Sequence, residues 1–417
     1  MKKVIGFDLC DDVSQISYSD IDDKQVITVS MVTGTAKYCF PTCMSKLKNV
    51  PEWKFGEEAN RLRDTEPDAF RADMLLSRAV LGSEIEFGEE KFDPVELLSV
   101  FLNRTMHMYT RSFPWNEIAC IIITVDELNA RMVEVLRQAT DKWDMKDCKV
   151  KFISHVESFF YYTVNQPEEM RKYKVALLDY NDNAIKASML STNRHVRPAV
   201  TLIDEKKYRF DKKDDEKLLD ICRQFMDSEI VSSVYLSGDG FEGDWEKETI
   251  KYLCMKRRVF QGRNLYTKGA CYAAIDMAEG SPLIDTELYL GKDKLKSNIG
   301  IDLITDGTEN YHPIIDAGVN WFDCREHMDV MIGHDREIRI IITPISGTGR
   351  RVVVMRADNM PDRPERACRV RLDFTMKSDE IMECRITDMG FGEIFPATGN
   401  VMTEKINLSD KEAEQGL

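Results

Sequence analysis

The hydrophobic pattern opens with Val4–Leu9, apolar except for one glycine and one aspartate, which predicts a buried strand. Gln15–Ser19 predicts its partner and Asp20–Asp23 a turn. Gln25–Val32, rich in β-branched residues, predicts a third strand. Val95, Leu97, Leu98, Phe101, Leu102 and Met106 recur at helical spacing, so Pro94–Tyr109 predicts a helix with Asp93 as its N-cap. Ile118–Val125 then predicts a fully buried strand, Glu127–Asp141 a helix and Lys149–Ile153 a short strand. This alternation implies a parallel sheet covered by helices. After a helical stretch at Val156–Val164 the scheme restarts. Val175–Leu178 predicts a strand, Ala184–Leu190 its hairpin partner, Asp214–Met226 a helix and Ile230–Leu236 another buried strand.

The texture changes after Ala278. Asp285–Lys296 predicts a short connector. Beyond it, Glu337–Thr343, Arg351–Arg356, Arg369–Thr375 and Ile381–Thr387 alternate apolar with polar residues. Such strands, separated by Gly, Pro, Asn and Asp, predict an antiparallel β-sandwich of about a hundred residues. Gly347–Gly349 predicts a hairpin turn before Arg350 and Arg351, and Ser409–Leu417 a polar, frayed tail.

Composition narrows the function classes. With 43% hydrophobic residues in 417, the chain is not of the disordered class. Its 72 acidic against 57 basic residues, a net charge of −15, argue against a nucleic-acid or anionic-membrane partner. No apolar run approaches the ~20 residues of a membrane span. The opening MKKVIGFDLCDD meets aspartate too early for a signal-peptide core. Eleven scattered cysteines without a CxxC pair predict reduced thiols in a cytoplasmic protein.

Several segments stand in a telling order: VIGFDLCDD (Val4–Asp12), FISHVESFFYYTV (Phe152–Val164), LDYNDNAIKASML (Leu178–Leu190), VYLSGDGFEG (Val234–Gly243) and NLYTKGACYAA (Asn264–Ala274). That order resembles the actin-like ATPase superfamily, and most of all the seventy-kilodalton heat-shock chaperones. The resemblance implies a two-lobed actin-like (ribonuclease H-like) domain over residues 1–285. A linker at 286–295 and a β-sandwich at 296–408, similar to the chaperone peptide-binding domain, would follow. A polar tail at 409–417 would take the place of the helical lid. Glu287–Leu290 (ELYL) reads either as a remnant of the chaperones' apolar linker or as an ordinary connector. In that likeness Asp8 and Asp179 would stand near Mg²⁺ and its waters. Asp11, Asp12, Gly238, Gly240 and Gly269 would line the nucleotide site, Arg78 would stand for the catalytic lysine, and His155 or Glu157 for a glutamate.

The chemistry-bearing positions depart from the family. Its phosphate loops use glycine so that backbone N–H groups can approach phosphate oxygens. Here Cys10 replaces the first-loop glycine, and Asp11 and Asp12 replace two hydroxyl residues. Asn181, Asp182 and Asn183 replace three glycines, Ala184 a threonine and Lys186 an aspartate. A carboxylate ~4 Å from a phosphate charge costs on the order of 1 kcal/mol in water and ~4 at a protein-like dielectric. Several such terms weigh heavily against the ~8 kcal/mol of a micromolar site. The stretch from Ser191 to Ser233 is also too short for the helical subdomain that supplies half the adenine clamp in the chaperones. ATP and Mg²⁺ are therefore expected to bind weakly or not at all. The expectation is a noncatalytic pseudo-ATPase that works through protein or peptide partners. The alternatives are a Mg-ATP-dependent chaperone-type ATPase or phosphotransferase using Asp8 and Asp179, and an actin-like assembly-forming protein.

Other candidates have weaker claims. The acidic Gly238–Trp245 precedes the basic Lys256–Lys268, which could make a recast ligand site. Trp245 or Phe260 would stack there, and Arg257, Arg258 and Arg263 would meet an anion. The plain alternative is a solvated basic helix end. Cys324, His327 and His334, near Asp323 and Asp329, fit no zinc spacing and read as ordinary packing or surface residues.

Overall fold

The computed structural model describes residues 2–32, 34–48, 50–109, 115–143, 148–305, 307–345, 349–364 and 367–409. It divides into two compact units, Met1–Tyr289 and Leu290–Leu417.

The first unit begins with β1 (Lys3–Leu9) and β2 (Val13–Asp20), followed by two-residue strands β3 (Ile27–Thr28) and β4 (Phe40–Pro41). A small sheet of β5 (Met44–Lys46), β6 (Lys54–Phe55) and β7 (Phe70–Ala72) carries helix α1 (Glu57–Thr65). Helix α2 (Leu75–Leu81), the hairpin β8 (Ile85–Phe87) and β9 (Glu90–Phe92), and helix α3 (Pro94–Tyr109) lead to β10 (Ile118–Val125). Helix α4 (Ala130–Thr140), β11 (Lys149–Ser154) and helix α5 (His155–Val164) follow. The helix starts obey capping chemistry: Asp93, Asn129 and Ser154 each accept a first-turn N–H of α3, α4 and α5.

The first large sheet has the order β11–β10–β1–β2–β3. β1 is parallel to β10 and β10 to β11, while β1 and β2 form an antiparallel pair. Period-two alternation sorts its residues. Ile5, Phe7, Leu9, Ile121, Ile123 and Val125 face the core shared with α2, α3 and α4, and Val4, Cys120 and Ile122 face the other way. The predicted strand Gln25–Val32 shrinks to Ile27–Thr28. Ile27 and Val32 are exposed at the sheet edge, where burial does not hold the chain extended.

The second large sheet repeats the arrangement. It contains β12 (Lys174–Asn181), β13 (Ala184–Asn193), β14 (Ala199–Arg209), β15 (Val231–Ser237), β16 (Arg258–Gln261) and β17 (Glu287–Tyr289), with helices α6 (Asp215–Phe225), α7 (Lys247–Cys254) and α8 (Leu265–Ala278). The order is β16–β15–β12–β13–β14–β17. Its first strand is parallel to two later ones and antiparallel to its hairpin neighbour, as in the first sheet. Ala176, Leu178 and Tyr180 face α6 and α7, and Val175 and Leu177 face α5. The β12–β13 turn consists of Asp182 and Asn183, both at positive φ (48° and 59°) between the paired Asn181 and Ala184. Asp and Asn tolerate that left-handed conformation without being glycine.

Helices α5 and α8 pack on each other between the two sheets. A Cβ at Gly269 of α8 would lie 2.0 Å from the Ser158 carbonyl oxygen of α5. Gly6 of β1 is equally constrained, its hypothetical Cβ falling 2.4 Å from the Thr267 carbonyl oxygen of α8. Glycine at these two points is what lets the backbones touch.

Glu287–Tyr289, read above as part of a connector, is strand β17, parallel to β14. Buried Glu287 fixes it by accepting from Arg171 at 3.0 Å and Thr201 at 2.8 Å.

The second unit contains two four-stranded antiparallel sheets. One has the order β19 (Thr308–Ile315), β18 (Ser297–Thr305), β21 (Glu337–Pro344), β22 (Arg351–Arg356). The other runs β20 (Arg325–Met331), β23 (Arg369–Met376), β24 (Ile381–Asp388), β25 (Val401–Asn407). Both contribute to one core, with Ile299, Ile340 and Ile342 from the first and Val370, Leu372, Phe374, Cys384 and Ile386 from the second. β21 and β22 are antiparallel neighbours, while Gly347 and Thr348 of the predicted turn lie outside the described residues, as does the tail beyond Ser409.

Candidate functional site

Three adjacent parallel strands of the first sheet deliver polar residues at their carboxyl ends. Asp8 lies near the end of β1, opposite Thr124 of β10, Asp126 follows β10, and His155 follows β11 directly as the first residue of α5. Open α/β sheets place ligand sites at such ends.

The side chains meet in one network. His155 Nε2 and Asp8 Oδ1 are 2.8 Å apart, and each side chain is 8% exposed. On the other edge of the ring, His155 Nδ1 lies 3.7 Å from Asp126 Oδ1, which also receives the Lys186 ammonium of β13. Burial alone would lower the His155 pKa. The Asp8 carboxylate, with Asp126 and Asp179 behind it, instead carries it above the usual histidine value. The Asp126 side chain is 61% exposed. Its partners His155 and Lys186 hold its carboxyl below the ordinary range.

The imidazole stacks on Tyr266 of α8, ring centroids 4.0 Å apart and planes 6° from parallel. The Tyr266 hydroxyl donates to Asp179 Oδ2 at 2.8 Å, and the Asn181 amide donates to Asp179 Oδ1 at 2.8 Å. Burial raises the Asp179 pKa, with the Tyr266 hydrogen bond opposing it. Burial, then Asp179, drives the Tyr266 phenol well above its ordinary value. Cys10 reaches the same place, its Sγ 3.7 Å from Asp8 Oδ1 and 3.9 Å from His155 Nε2. Burial, followed by Asp8, Asp12, Asp126 and Asp179, pushes its thiol up. A carboxylate oxygen, a sulfur and a ring nitrogen of Asp8, Cys10 and His155 thus lie within 4.8 Å of one another.

The other expected nucleotide residues have different partners. Asp11 Oδ1 accepts the Leu76 and Ser77 N–H groups at 3.0 Å, and its second oxygen accepts the Ser77 hydroxyl, so it caps α2. Arg78 is half-buried on that helix. Asp12 is exposed and accepts the N–H of Val13 at 2.7 Å. Gly238, at φ 97°, lies against the Tyr180 carbonyl, and Gly240 lies against the Tyr180 ring. With Gly269 on Ser158, all three glycines serve close packing within the protein.

Trp245 and Phe260 do not converge. Trp245 packs with Phe210, Phe241 and Tyr180, and its indole N–H donates to the Gly240 carbonyl at 3.1 Å. Phe260 stacks on Tyr235, whose side chain faces the opposite side of the sheet, while its neighbour Val259 packs on Trp245's side. Strand alternation separates the two aromatics. The arginines also disperse. Arg257 covers Tyr252, Arg258 approaches Glu169 at 3.7 Å, and Arg263 pairs with Asp239 and Glu242 at 2.5 and 3.0 Å. The basic segment thus meets the chain's own acidic loop. In the second unit Asp329 is held by Arg369 and Arg371, and the Cys324 thiol donates to the Asn320 carbonyl at 3.3 Å.

Sequence reasoning reached Asp8, Asp179, His155, Cys10 and Lys186 but missed Asp126 and Tyr266. Asp126 had a readable signal, since it immediately follows a strand predicted to be buried and parallel. Tyr266 had none, because its role depends on how α8 packs.

No curated protein matches the chain. A domain of unknown function, DUF8552, matches residues 294–408. The C-terminal part of a family of unknown function, DUF5716, matches residues 25–292. That match spans well over half of the chain, and the protein belongs to the DUF5716 family.

Proposed function

We propose that this protein is a noncatalytic relative of the actin-like ATPases, closest in kind to the heat-shock chaperones, that acts through protein or peptide partners. Support for the scaffold comes from two large sheets in which five strands follow the same order, with β17 added at the edge of the second, and from helices α5 and α8 crossing between them at Gly269 and Ser158. The loss of catalysis rests on one observation. Asp8 and Asp179, the two aspartates that would serve Mg²⁺ in the family, are each engaged by the protein, Asp8 by His155 and Asp179 by Tyr266 and Asn181.

Magnitudes favour this reading. Hydrogen bonds to charged groups contribute about 1.5–3 kcal/mol each, so freeing both carboxylates would consume much of the ~8 kcal/mol of a micromolar site. Lys186 adds a fixed cation beside Asp126, and Asp11 is committed to α2. Mg²⁺ wants oxygen ligands, whereas the nearest donors to Asp8 are an imidazole and a thiol. These residues do not fit a Mg-nucleotide.

The test pairs two assays on the full chain: phosphate release from millimolar Mg-ATP, and suppression of aggregation of an unfolded client protein. The proposal expects no phosphate release above buffer and a suppression that ATP leaves unchanged. Turnover lost on Asp8→Asn, or no effect on any client, would overturn it.

A further inference from the structure

The Asp8, Cys10 and His155 cluster does more than exclude Mg²⁺. We propose that these three residues form a binding site for one divalent transition-metal ion of the zinc class, with water in the fourth position. This goes beyond the scaffold reading and does not rest on it, because the donors and their spacing are the same whether or not the chain binds nucleotide.

The geometry is close to what such an ion needs. Zinc bonds of about 2.0–2.3 Å to O, N and S put neighbouring tetrahedral donors about 3.3–3.7 Å apart. Here the three edges are 2.8, 3.7 and 3.9 Å. The short edge is the Asp8–His155 hydrogen bond, and replacing its proton with a metal requires opening it by about half an ångström. The donors come from β1, the loop after it and the first residue of α5, so the sheet register and the Ser154 cap fix them. Thiolate and imidazole select borderline metals over Mg²⁺ or Ca²⁺.

The surroundings supply an outer shell. Metal-bound histidines commonly turn their other ring nitrogen to a carboxylate, which fixes the tautomer. His155 turns Nδ1 to Asp126 at 3.7 Å, and Lys186 anchors Asp126. Tyr266 fixes the plane of the ring. The titratable groups facing the site are Asp8, Cys10, Asp12, Asp126, Asp179, Lys186 and Tyr266. On binding, the Cys10 thiol releases one proton, and Nε2 of His155 gives up the hydrogen that faces Asp8, leaving a neutral imidazole whose proton sits on Nδ1 beside Asp126. The ion with one thiolate and one carboxylate is then a neutral centre. Affinity therefore falls as pH is lowered.

The experiment titrates metal-depleted full-length protein with Co²⁺ as an optical probe, then displaces it with Zn²⁺. The expected result is one equivalent bound with a tetrahedral spectrum and a thiolate charge-transfer band. That band disappears in Cys10→Ser and persists in Cys254→Ser, which alters an exposed cysteine. Asp126→Ala weakens binding about tenfold or more. If Cys10→Ser fails to fold, X-ray absorption of the zinc-loaded natural protein decides, with one sulfur and the remaining ligands nitrogen or oxygen expected. No charge-transfer band, a band that survives in Cys10→Ser, or a shell with no sulfur or with several would overturn the site.

Discussion

His155 and Tyr266 lie face to face, ring centroids 4.0 Å apart, and each ring holds one carboxylate: Asp8 on the imidazole and Asp179 on the phenol. The pair joins the first residue of α5 to α8, so the two helices that cross between the sheets are also linked through their polar chemistry. The arrangement ties β1, β12, α5 and α8 together through one run of side-chain contacts.

The network sets a pH dependence. The His155 pKa is raised, so its stabilising contribution is complete below the unfolded histidine value of about 6.5 and is lost as pH rises through the folded value. In the metal-free protein, the stability difference between the natural chain and His155→Asn should be largest near pH 6 and shrink toward alkaline pH. Urea denaturation across a pH series measures it, and a difference that grows with pH would contradict the network.

The acidic pair Asp11–Asp12 separates into one structural and one exposed residue. Asp11→Ala removes three hydrogen bonds from the start of α2 and should cost about 1–2 kcal/mol. Asp12→Ala should fall within about 0.5 kcal/mol of the natural protein. Equal effects in denaturant melts would refute the capping role.

Gly269→Ala should be among the most damaging small substitutions in the first unit. The added methyl would sit 2.0 Å from the Ser158 carbonyl oxygen, a backbone atom that cannot rotate away. Overpacking of this kind costs about 1–3 kcal/mol and sometimes more, and the upper end is expected because a helix must shift. The comparison is Gly262→Ala, whose Cβ would meet nothing closer than 3.9 Å. A tolerated Gly269→Ala would mean that the helices do not cross this closely.

The second unit should show the opposite pH sign. Arg363 makes a bidentate pair with Asp388, side chains 4% and 0% exposed, and Asp388 also accepts from Thr398 and Gly390. Burial would raise the Asp388 pKa, but these partners depress it far below the ordinary carboxylate value. Its contribution is present above about pH 4 and is lost as pH falls. Arg363→Met leaves a buried carboxylate unpaired and should cost about 3–5 kcal/mol at neutral pH, a penalty that thermal melts should show shrinking in acid.

The sheets were legible because their signals are local. Val4–Leu9 and Ile118–Val125 are largely apolar runs of strand length, and Asp93 and Asp214 stand at the predicted starts of their helices. β14 was not legible, since Asp204, Glu205, Lys206 and Lys207 hide a strand on the rim of a sheet. β17 was missed because three residues carry no period, and only long-range pairing of Glu287 makes them a strand. At the site, Asp8, Cys10, His155 and Asp179 could be singled out from the sequence. How they are joined depended on Tyr266 and Asp126 arriving from distant segments, and no spacing encodes that. Trp245 and Phe260 failed as a site because a single intervening strand period put them on opposite faces.

The most direct test of the central claim is a calorimetric titration of the full chain with ATP, with and without Mg²⁺. The expected result is no binding heat at millimolar nucleotide in either case, because Asp8 and Asp179 are already engaged by His155, Tyr266 and Asn181. A saturating, Mg²⁺-dependent heat that Asp8→Asn abolishes would contradict it, and would mean that the network opens to admit nucleotide.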